Sequence, residues 1–239
     1  MSKLKAYIKS LSLIFAMTSL FSAASAWSSE ILSAKDRAII PVAAFTASGE
    51  SEKLKISLNE ALDAGLTINE LKEVLVQLYA YAGFPRSLNG LATFMTVLDA
   101  RKSQGIQDVL GRESSPLPTD KSSLEFGTEN QTKLIGVEVK GALFDFSPQV
   151  DEYLKAHLFG DIFERDVLSW KQRELATIAA LANIHGVNSQ LAAHFNISMN
   201  NHISPAELKA FISVLKTYCG EAISVNAQQV LDQVLASKQ

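Results

Sequence analysis

The sequence predicts an all-α fold, and three observations lead to this prediction. Apolar residues recur at helical spacings of three and four over most of the chain. Two capping boxes, Thr67–Glu70 and Ser204–Glu207, mark helix starts, because the hydroxyl and the glutamate each satisfy an amide that lacks a helical partner. Glycine and proline interrupt the apolar segments, and no stretch alternates apolar and polar residues as a half-buried strand would.

These signals divide the first half of the chain into helices. Residues 31–45 have helical spacing with Pro41 inside, which predicts two short helices or one kinked helix. A second helix is expected over 53–63, before a glycine suited to a left-handed end. The helix that starts at the first capping box is expected to stop at Gly83, and the next one to run to about Lys102.

The middle of the chain has a different composition. Residues 104–133 are polar and rich in glycine, serine and proline, which predicts a linker or a long surface crossing. A helix is expected from Asp151 toward Leu158, followed by a turn at 159–163. Helices resume in the segment that reads RELATIAALANIHGVNSQLAAHF, where a break at His185–Gly186 separates two apolar stretches.

The sequence contains an internal repeat. A shift of 137 residues brings Glu70-Leu71-Lys72 onto Glu207-Leu208-Lys209, and it also superimposes a tyrosine and a glycine of each half. Helix starts, breaks and apolar faces stay in register over some forty positions, far more than chance would give. The repeat therefore predicts two copies of one helical unit, at 31–103 and 134–236.

The two copies differ where chemistry is expected. Glu174 and His194 flank the break in the second copy and would meet if its two helices fold back on each other. In the first copy, His194 falls on Ser57, whereas Glu174 falls on Arg37 or, after a one-residue gap, on Ala38. Any proton-transfer chemistry is thus expected in the second copy alone.

The N-terminal residues are predicted to be a secretory signal peptide, at 1–26. Three lysines precede a short apolar run, Leu11–Phe21, and Ala24-Ser25-Ala26 forms a small-residue cleavage site. A membrane anchor is the alternative, but the run falls well short of the roughly 20 residues that a spanning helix needs. We therefore expect a periplasmic or secreted protein without a membrane contact after cleavage.

The charge excludes two classes of partner. The 239-residue chain has a net charge of −3, and loss of the three signal lysines makes the mature chain more acidic. Without a basic block, neither nucleic acid nor an anionic membrane surface is an expected ligand, so small molecules and proteins remain. Cys219 is the only cysteine, which excludes an intramolecular disulfide and a Cys-x-x-Cys centre.

Several motifs together resemble the carboxymuconolactone decarboxylase family. In the second copy they are Phe159-Gly160-Asp161-Ile162-Phe163-Glu164-Arg165, then Arg173-Glu174-Leu175, Gln190-Leu191 and His194. In the first copy they are Glu60-Ala61-Leu62-Asp63-Ala64-Gly65-Leu66-Thr67, then Gln77-Leu78-Tyr79-Ala80-Tyr81-Ala82-Gly83-Phe84-Pro85 and Asn89. The resemblance covers most of residues 36–236.

The resemblance implies an alkylhydroperoxidase D-like helical bundle that assembles into trimers or hexamers. It implies a small carboxylated lactone or related acid as substrate, and no metal or organic cofactor. Alkylhydroperoxidase D relatives add a Cys-x-x-Cys pair where this chain has Gly186-Val187-Asn188-Ser189. A peroxidase role would therefore depend on Cys219 alone, and a non-catalytic exported binding protein is a further alternative.

If the chain acts like the members of this family, His194 is the candidate general acid/base and Glu174 is its partner. An imidazole suits the proton step because its ordinary pKa of about 6.5 lies near working pH. Arg173 or Arg165 is the candidate for holding a substrate carboxylate. The competing interpretations are that Arg173-Glu174 at a helix start interacts with the helix dipole and forms an interhelical ion pair, and that the two arginines are surface or interface charges.

Other chemistry has little support in the sequence. The remaining histidines, His157, His185 and His202, are expected at surface, cap or loop positions. No histidine pair has the spacing of a helical metal site, and no Gly-x-Ser-x-Gly turn of a serine hydrolase is present.

Overall fold

The computed structural model describes residues 31–238, and all of its regular secondary structure there is helical. The all-α prediction is confirmed, whereas the predicted signal peptide lies outside the described residues. The helices of the first half are α1 (Ala34–Ser48), α2 (Ser51–Asp63), α3 (Ile68–Gln77), α4 (Tyr79–Ala82) and α5 (Phe84–Ser103). Those of the second half are α6 (Ser123–Ile135), α7 (Ala142–Phe146), α8 (Pro148–Tyr153), a π-helix (Leu154–Ile162), α9 (Trp170–Ala182), α10 (Asn188–Asn200), α11 (Pro205–Cys219) and α12 (Glu221–Ala236).

The structure shows the predicted repeat. Both bounds of α10 lie 137 positions after those of α2, and complete capping boxes begin α3 at Thr67 and α11 at Ser204. The ion pair Lys35–Glu70 of the first copy recurs as Lys171–Glu207 in the second. Equivalent helices of the two copies therefore begin with the same kind of N-cap and are connected by the same ion pair.

Helix α1 and its counterpart α9 show which first-copy residue corresponds to Glu174. Ser33 accepts a hydrogen bond from the amide of Asp36, and Ser169 accepts the equivalent bond three residues along α9. These two N-caps are 136 positions apart, so the extra residue lies in the loop after the helix. Ala38 is therefore the counterpart of Glu174, and Arg37 is the counterpart of Arg173.

Helices α1 and α9 form the centre of the molecule. Residues 39–47 of α1 and 173–182 of α9 are all buried, and the two helices pack against each other within the main hydrophobic core. Pro41 lies inside α1, which continues through it as one helix rather than two. The apolar residues on all sides of these helices are typical of buried central elements.

The predicted linker is wrong at its C-terminal end, because Ser123–Ile135 form helix α6. A capping box of Ser122 and Glu125 starts this helix, and α6 packs closely along the π-helix. A Cβ atom at Gly127 would collide with the carbonyl oxygen of Lys155, and one at Gly160 with that of Ser123. These two glycines therefore permit a backbone-to-backbone crossing that larger residues would prevent.

The segment before α9 also differs from the prediction. The helix expected from Asp151 continues past Leu158 as a π-helix to Ile162, so residues 159–162 do not form the expected turn. The amide of Phe163 donates to the carbonyl of Leu158, five residues back, at 3.0 Å. The π-helix, α6 and Ile197 of α10 form a second, smaller core cluster.

No helix within residues 31–238 has the length and apolar character required to cross a membrane.

Candidate active site

Glu174 and His194 meet in the second copy. His194 Nδ1 lies 2.9 Å from Glu174 Oε2, with the glutamate side chain fully buried and the histidine side chain 12% exposed. An ionised Glu174 could only accept this hydrogen bond, which would require the proton of the pair to lie on Nδ1. Among the described residues, Nε2 has no hydrogen-bond partner and is available to a ligand.

Glu174 and His194 come together because α9 and α10 form a helical hairpin. Asn183 caps α9 and donates from Nδ2 to the carbonyl of Ala179 at 2.9 Å, and Gly186 takes the left-handed conformation at φ 81°. On α10, fully buried Leu191 and Phe195 flank His194. Their packing fixes the rotation of α10 so that the histidine faces Glu174.

Tyr81 of the first copy completes the site, although the sequence reasoning did not select it. Its ring contacts the His194 ring edge-on, with centroids 5.6 Å apart and planes at 80°. Burial raises the pKa of the Tyr81 phenol, and the charge of Glu174 raises it further, so the hydroxyl stays a proton donor. The available signal was that the repeat places a tyrosine at this position in both copies.

Three buried polar atoms around this cluster have no hydrogen-bond partner within residues 31–238. They are Glu174 Oε1, the Tyr81 hydroxyl and Arg173 Nε. An unsatisfied buried group typically costs about 1–3 kcal/mol, and such groups are rare enough to need a specific reason. A polar ligand or water at this position would supply the missing partners.

Arg173 does not fit the predicted role of holding a substrate carboxylate. Its side chain is fully buried, and its Nη atoms donate to Gln77 Oε1 at 3.0 Å, Glu73 Oε2 at 3.1 Å and the carbonyl of Arg165 at 2.8 Å. This burial contradicts the alternative of a surface charge, but the structure agrees with the alternative of an interhelical ion pair. Arg173 joins α9 to α3 through a buried ion pair with Glu73.

Arg165 shares the same acid. It donates from Nε to Glu73 Oε1 at 2.9 Å, and 37% of its side chain is exposed. Burial raises the pKa of Glu73, but the hydrogen bonds from Arg165 and Arg173 outweigh burial and hold that pKa below its ordinary value. Arg165 is thus the one of the two predicted arginines that a ligand in solvent can contact.

A cavity of about 410 Å³ has Tyr81 in its wall, whereas Glu174 and His194 do not line it. Two further basic side chains, Arg86 and His185, line this cavity together with the end of α9. The other histidines lie elsewhere: His157 pairs with Asp161 at 2.7 Å, and His202 is an exposed residue in the left-handed region at φ 65°. Tyr81 therefore connects this cavity with the His194 ring.

Metal and thiol chemistry have no assembled site here. Within residues 31–238, no group of three or more His, Cys, Asp or Glu side chains is arranged to hold a metal ion. Cys219 ends α11 as a free, half-buried thiol, and burial raises its pKa to about 11. A thiol with a raised pKa is a weak nucleophile at neutral pH.

Comparisons with known proteins agree with this architecture. The sequence profile of the carboxymuconolactone decarboxylase family matches residues 13–94 and 148–233, so it covers both copies. The first match begins within the predicted signal peptide. A 4-carboxymuconolactone decarboxylase of Acinetobacter baylyi is 32% identical over 119 residues, which are 48% of this chain and 88% of that protein. With two matched regions that span most of its length, the chain belongs to the carboxymuconolactone decarboxylase family.

Proposed function

We propose that the protein is an enzyme that decarboxylates a small carboxylated lactone, or a related acid, by proton transfer and without a cofactor. The observation that carries the proposal is the 2.9 Å contact between His194 Nδ1 and Glu174 Oε2. Tyr81, whose ring contacts His194, lines a cavity, and the Tyr81 hydroxyl and Glu174 Oε1 lack hydrogen-bond partners within residues 31–238. Family membership and the name of the similar Acinetobacter protein supply the class of substrate.

In the proposed reaction, the bond between the substrate carbon and its carboxylate breaks and carbon dioxide leaves. The electron pair of that bond remains on the substrate and is delocalised into the lactone. His194, in its protonated form and with Nδ1 hydrogen-bonded to Glu174, then delivers its Nε2 proton to this carbon, and solvent returns a proton to the histidine. The Tyr81 hydroxyl is placed to donate a hydrogen bond to substrate oxygen that gains charge.

We propose that Arg165, and not Arg173, binds the substrate carboxylate. The guanidinium of Arg165 is partly exposed, whereas that of Arg173 is enclosed by protein acceptors. In this proposal Arg173 acts indirectly, because it holds Glu73, which in turn orients Arg165.

The test is turnover of 4-carboxymuconolactone by the purified chain, followed as carbon dioxide release. We expect His194→Asn and Glu174→Gln each to lower kcat by roughly 10²- to 10⁴-fold, the usual contribution of positioned acid/base catalysis. His202→Asn is the matched control, since it removes an exposed histidine and asparagine tolerates a positive φ. A loss of less than about tenfold in His194→Asn would remove His194 from the mechanism.

The same assay separates the two other functions that the family allows. A non-catalytic binding protein would bind the lactone without releasing carbon dioxide. Peroxide consumption that disappears in Cys219→Ser would indicate a thiol peroxidase, although the raised pKa of Cys219 does not favour that function.

We also propose that the protein is exported. The support is the sequence pattern of residues 1–26 alone. Mass spectrometry of the chain from its native host should give a mature N-terminus at Trp27. A chain that retains residues 13–26, which the family profile also matches, would contradict export by this signal.

A further inference from the structure

The cavity of about 410 Å³ that contains Tyr81 is lined by the ends of both central helices. Residues 47–48 are the last residues of α1, and residues 183–185 directly follow α9. The cavity has the size of an ordinary small-molecule site. Because the Glu174–His194 pair does not line it, the proposed reaction gives no role to most of its lining residues.

Arg86 places an unpaired positive charge in the wall of this cavity. Its side chain is exposed, and it makes no hydrogen bond or ion pair within residues 31–238. A Cβ atom at Gly49 would overlap its guanidinium, so the guanidinium lies against the backbone at the end of α1. Because this contact already restricts the side chain, Arg86 would lose little conformational entropy on binding an anion.

Among the described residues, no acid that lines the cavity competes for Arg86. Glu50 is the acid nearest to the lining in sequence, but its carboxylate is paired with Lys53 and accepts a hydrogen bond from Ser48 Oγ at 3.3 Å. A second basic side chain, that of exposed His185, lines the same cavity. An anion there would be attracted by Arg86 and can accept a hydrogen bond from the imidazole.

The internal repeat shows that the scaffold does not require this arginine. A shift of 137 residues places Ile223 at the position of Arg86, and Ile223 lines a separate cavity of about 360 Å³ at the end of α9. A cation near the end of a helix stabilises the helix dipole, but the end of α9 has an apolar residue at this position. The charge of Arg86 is therefore available for a role other than support of a helix.

The rest of the lining indicates what kind of anion fits. Ala47, Ala82 and Ile184 are apolar, and Tyr81 adds an aromatic ring. These side chains favour an anion that carries a compact apolar body over an inorganic one, because contact with them removes apolar surface from water. The planar fork of a guanidinium matches a carboxylate in geometry.

From these features we propose that this cavity binds a small carboxylate with a compact apolar body, at a site separate from the Glu174–His194 pair. Arg86 binds the carboxylate, His185 donates a second hydrogen bond, and the apolar body lies against the Tyr81 ring. The proposal does not depend on the decarboxylase activity proposed above, because binding here requires neither Glu174 nor His194.

The test is isothermal titration calorimetry of the full chain with benzoate as the probe. We expect benzoate to bind roughly tenfold or more tightly than benzamide, which has the same shape without the charge. Inorganic phosphate, which has the charge without the apolar body, should also bind more weakly than benzoate. No binding of benzoate, or equal binding of benzoate and either of the other two probes, would overturn the proposal.

Variants assign the binding to this cavity. Arg86→Gln should weaken benzoate binding by roughly tenfold or more, and it should not disturb folding, since the side chain is exposed and unpaired. Lys102→Gln is the matched control, because it removes an exposed positive charge from the other end of the same helix, and it should keep the wild-type affinity.

His194→Asn should also keep the wild-type affinity for benzoate, because the histidine does not line the cavity. Wild-type affinity in Arg86→Gln, or an equal loss in Lys102→Gln, would refute the role of Arg86. A comparable loss in His194→Asn would show that the ligand contacts the Glu174–His194 pair, and it would overturn the separate site.

Discussion

Tyr81 brings a buried phenol to the histidine of the candidate site. Its hydroxyl has no hydrogen-bond partner within residues 31–238, so its removal should not harm the fold. We predict that Tyr81→Phe leaves the melting temperature unchanged or slightly higher, since an unsatisfied polar group is lost. If the hydroxyl binds substrate oxygen in the transition state, kcat should fall at least tenfold with little change in KM.

The control for this prediction is Tyr153→Phe, which removes the hydroxyl of a tyrosine that is 68% exposed. Both variants are measured for thermal unfolding and for carbon dioxide release. Wild-type kcat in Tyr81→Phe would show that the hydroxyl has no part in the reaction.

Glu73 makes the stability of the folded protein depend on pH in the acid range. Its folded-state pKa lies below the ordinary value of 4.5, so the unfolded chain binds more protons in the interval between the two values. The stabilisation is therefore complete above the ordinary value and is lost as pH falls through the lower, folded-state value. We predict that the wild type loses stability in this window, as measured by urea unfolding at a series of pH values.

Glu73→Gln should remove most of that pH dependence. It should also destabilise the protein by about 3 kcal/mol at neutral pH, because it leaves buried Arg173 without its ionic partner. Glu52→Gln, at an exposed position, serves as the control and should retain the wild-type pH profile. An unchanged profile in Glu73→Gln would mean that another carboxylate causes the acid sensitivity.

At the residue scale, sequence reasoning could place Glu174 and His194 together but could not describe Arg173. Glu174 and His194 lie on the two helices of one hairpin, so the short break between those helices is enough to predict that the two side chains meet. Arg173 binds Glu73 and Gln77, which lie 100 and 96 positions away on α3. Because no local pattern reports such distant partners, an arginine at the start of a helix looks like a surface charge.

At the scale of elements, the crossing of α6 and the π-helix depends on Gly127. A Cβ atom there would overlap the carbonyl oxygen of Lys155, which belongs to backbone that cannot rotate away. We predict that Gly127→Ala destabilises the protein by about 2–3 kcal/mol through overpacking, despite the better helix propensity of alanine. Thr128→Ala, at the neighbouring, partly exposed position, should change stability by less than about 0.5 kcal/mol.

Chemical denaturation of the two variants provides the measurement. Because the π-helix belongs to the small core cluster against which Tyr81 packs, activity should fall with stability in Gly127→Ala. A wild-type unfolding midpoint in this variant would contradict the close crossing.

Some helices have a local sequence signal that predicts where they begin, and others have none. The helices that begin at Thr67 and Ser204 were predictable, since side chains three residues apart determine their capping boxes. Helix α6 has the same signal at Ser122 and Glu125, but the polar, breaker-rich composition around it favoured a linker. The π-helix had no signal of this kind, because its i→i+5 bonds depend on packing against α6.

At the scale of the whole molecule, the two copies have one scaffold and different surroundings. In the second copy, α9 is preceded by α6, α7, α8 and the π-helix, and residues of α6 and the π-helix form a small core cluster with Ile197, against which Tyr81 packs. The equivalent position in the first copy remains an open cavity. Duplication thus preserved the helices, whereas substitutions at a few positions left the glutamate and the histidine in the second copy alone.

The surface of α5 leads to the last prediction, that the protein forms a homo-oligomer. Phe84, Leu88 and Met95 are 61%, 59% and 66% exposed, and their spacing along the helix places them on one face. A contiguous exposed apolar stripe is typical of a protein interface, and symmetric self-association is the commonest way to bury one. We propose that copies of this chain pack through this face, as the trimers or hexamers implied by the family would require.

The test is light scattering coupled to size-exclusion chromatography. We predict that the double variant Leu88→Glu, Met95→Glu elutes with the mass of a monomer, because burying two carboxylates in an apolar interface costs several kcal/mol. The matched control, Asn89→Glu with Thr96→Glu, adds the same charge at exposed polar positions one residue further along the helix and should keep the wild-type mass. A wild-type chain that is monomeric at micromolar concentration, or an oligomer that survives the first double variant, would show that this face is not the interface.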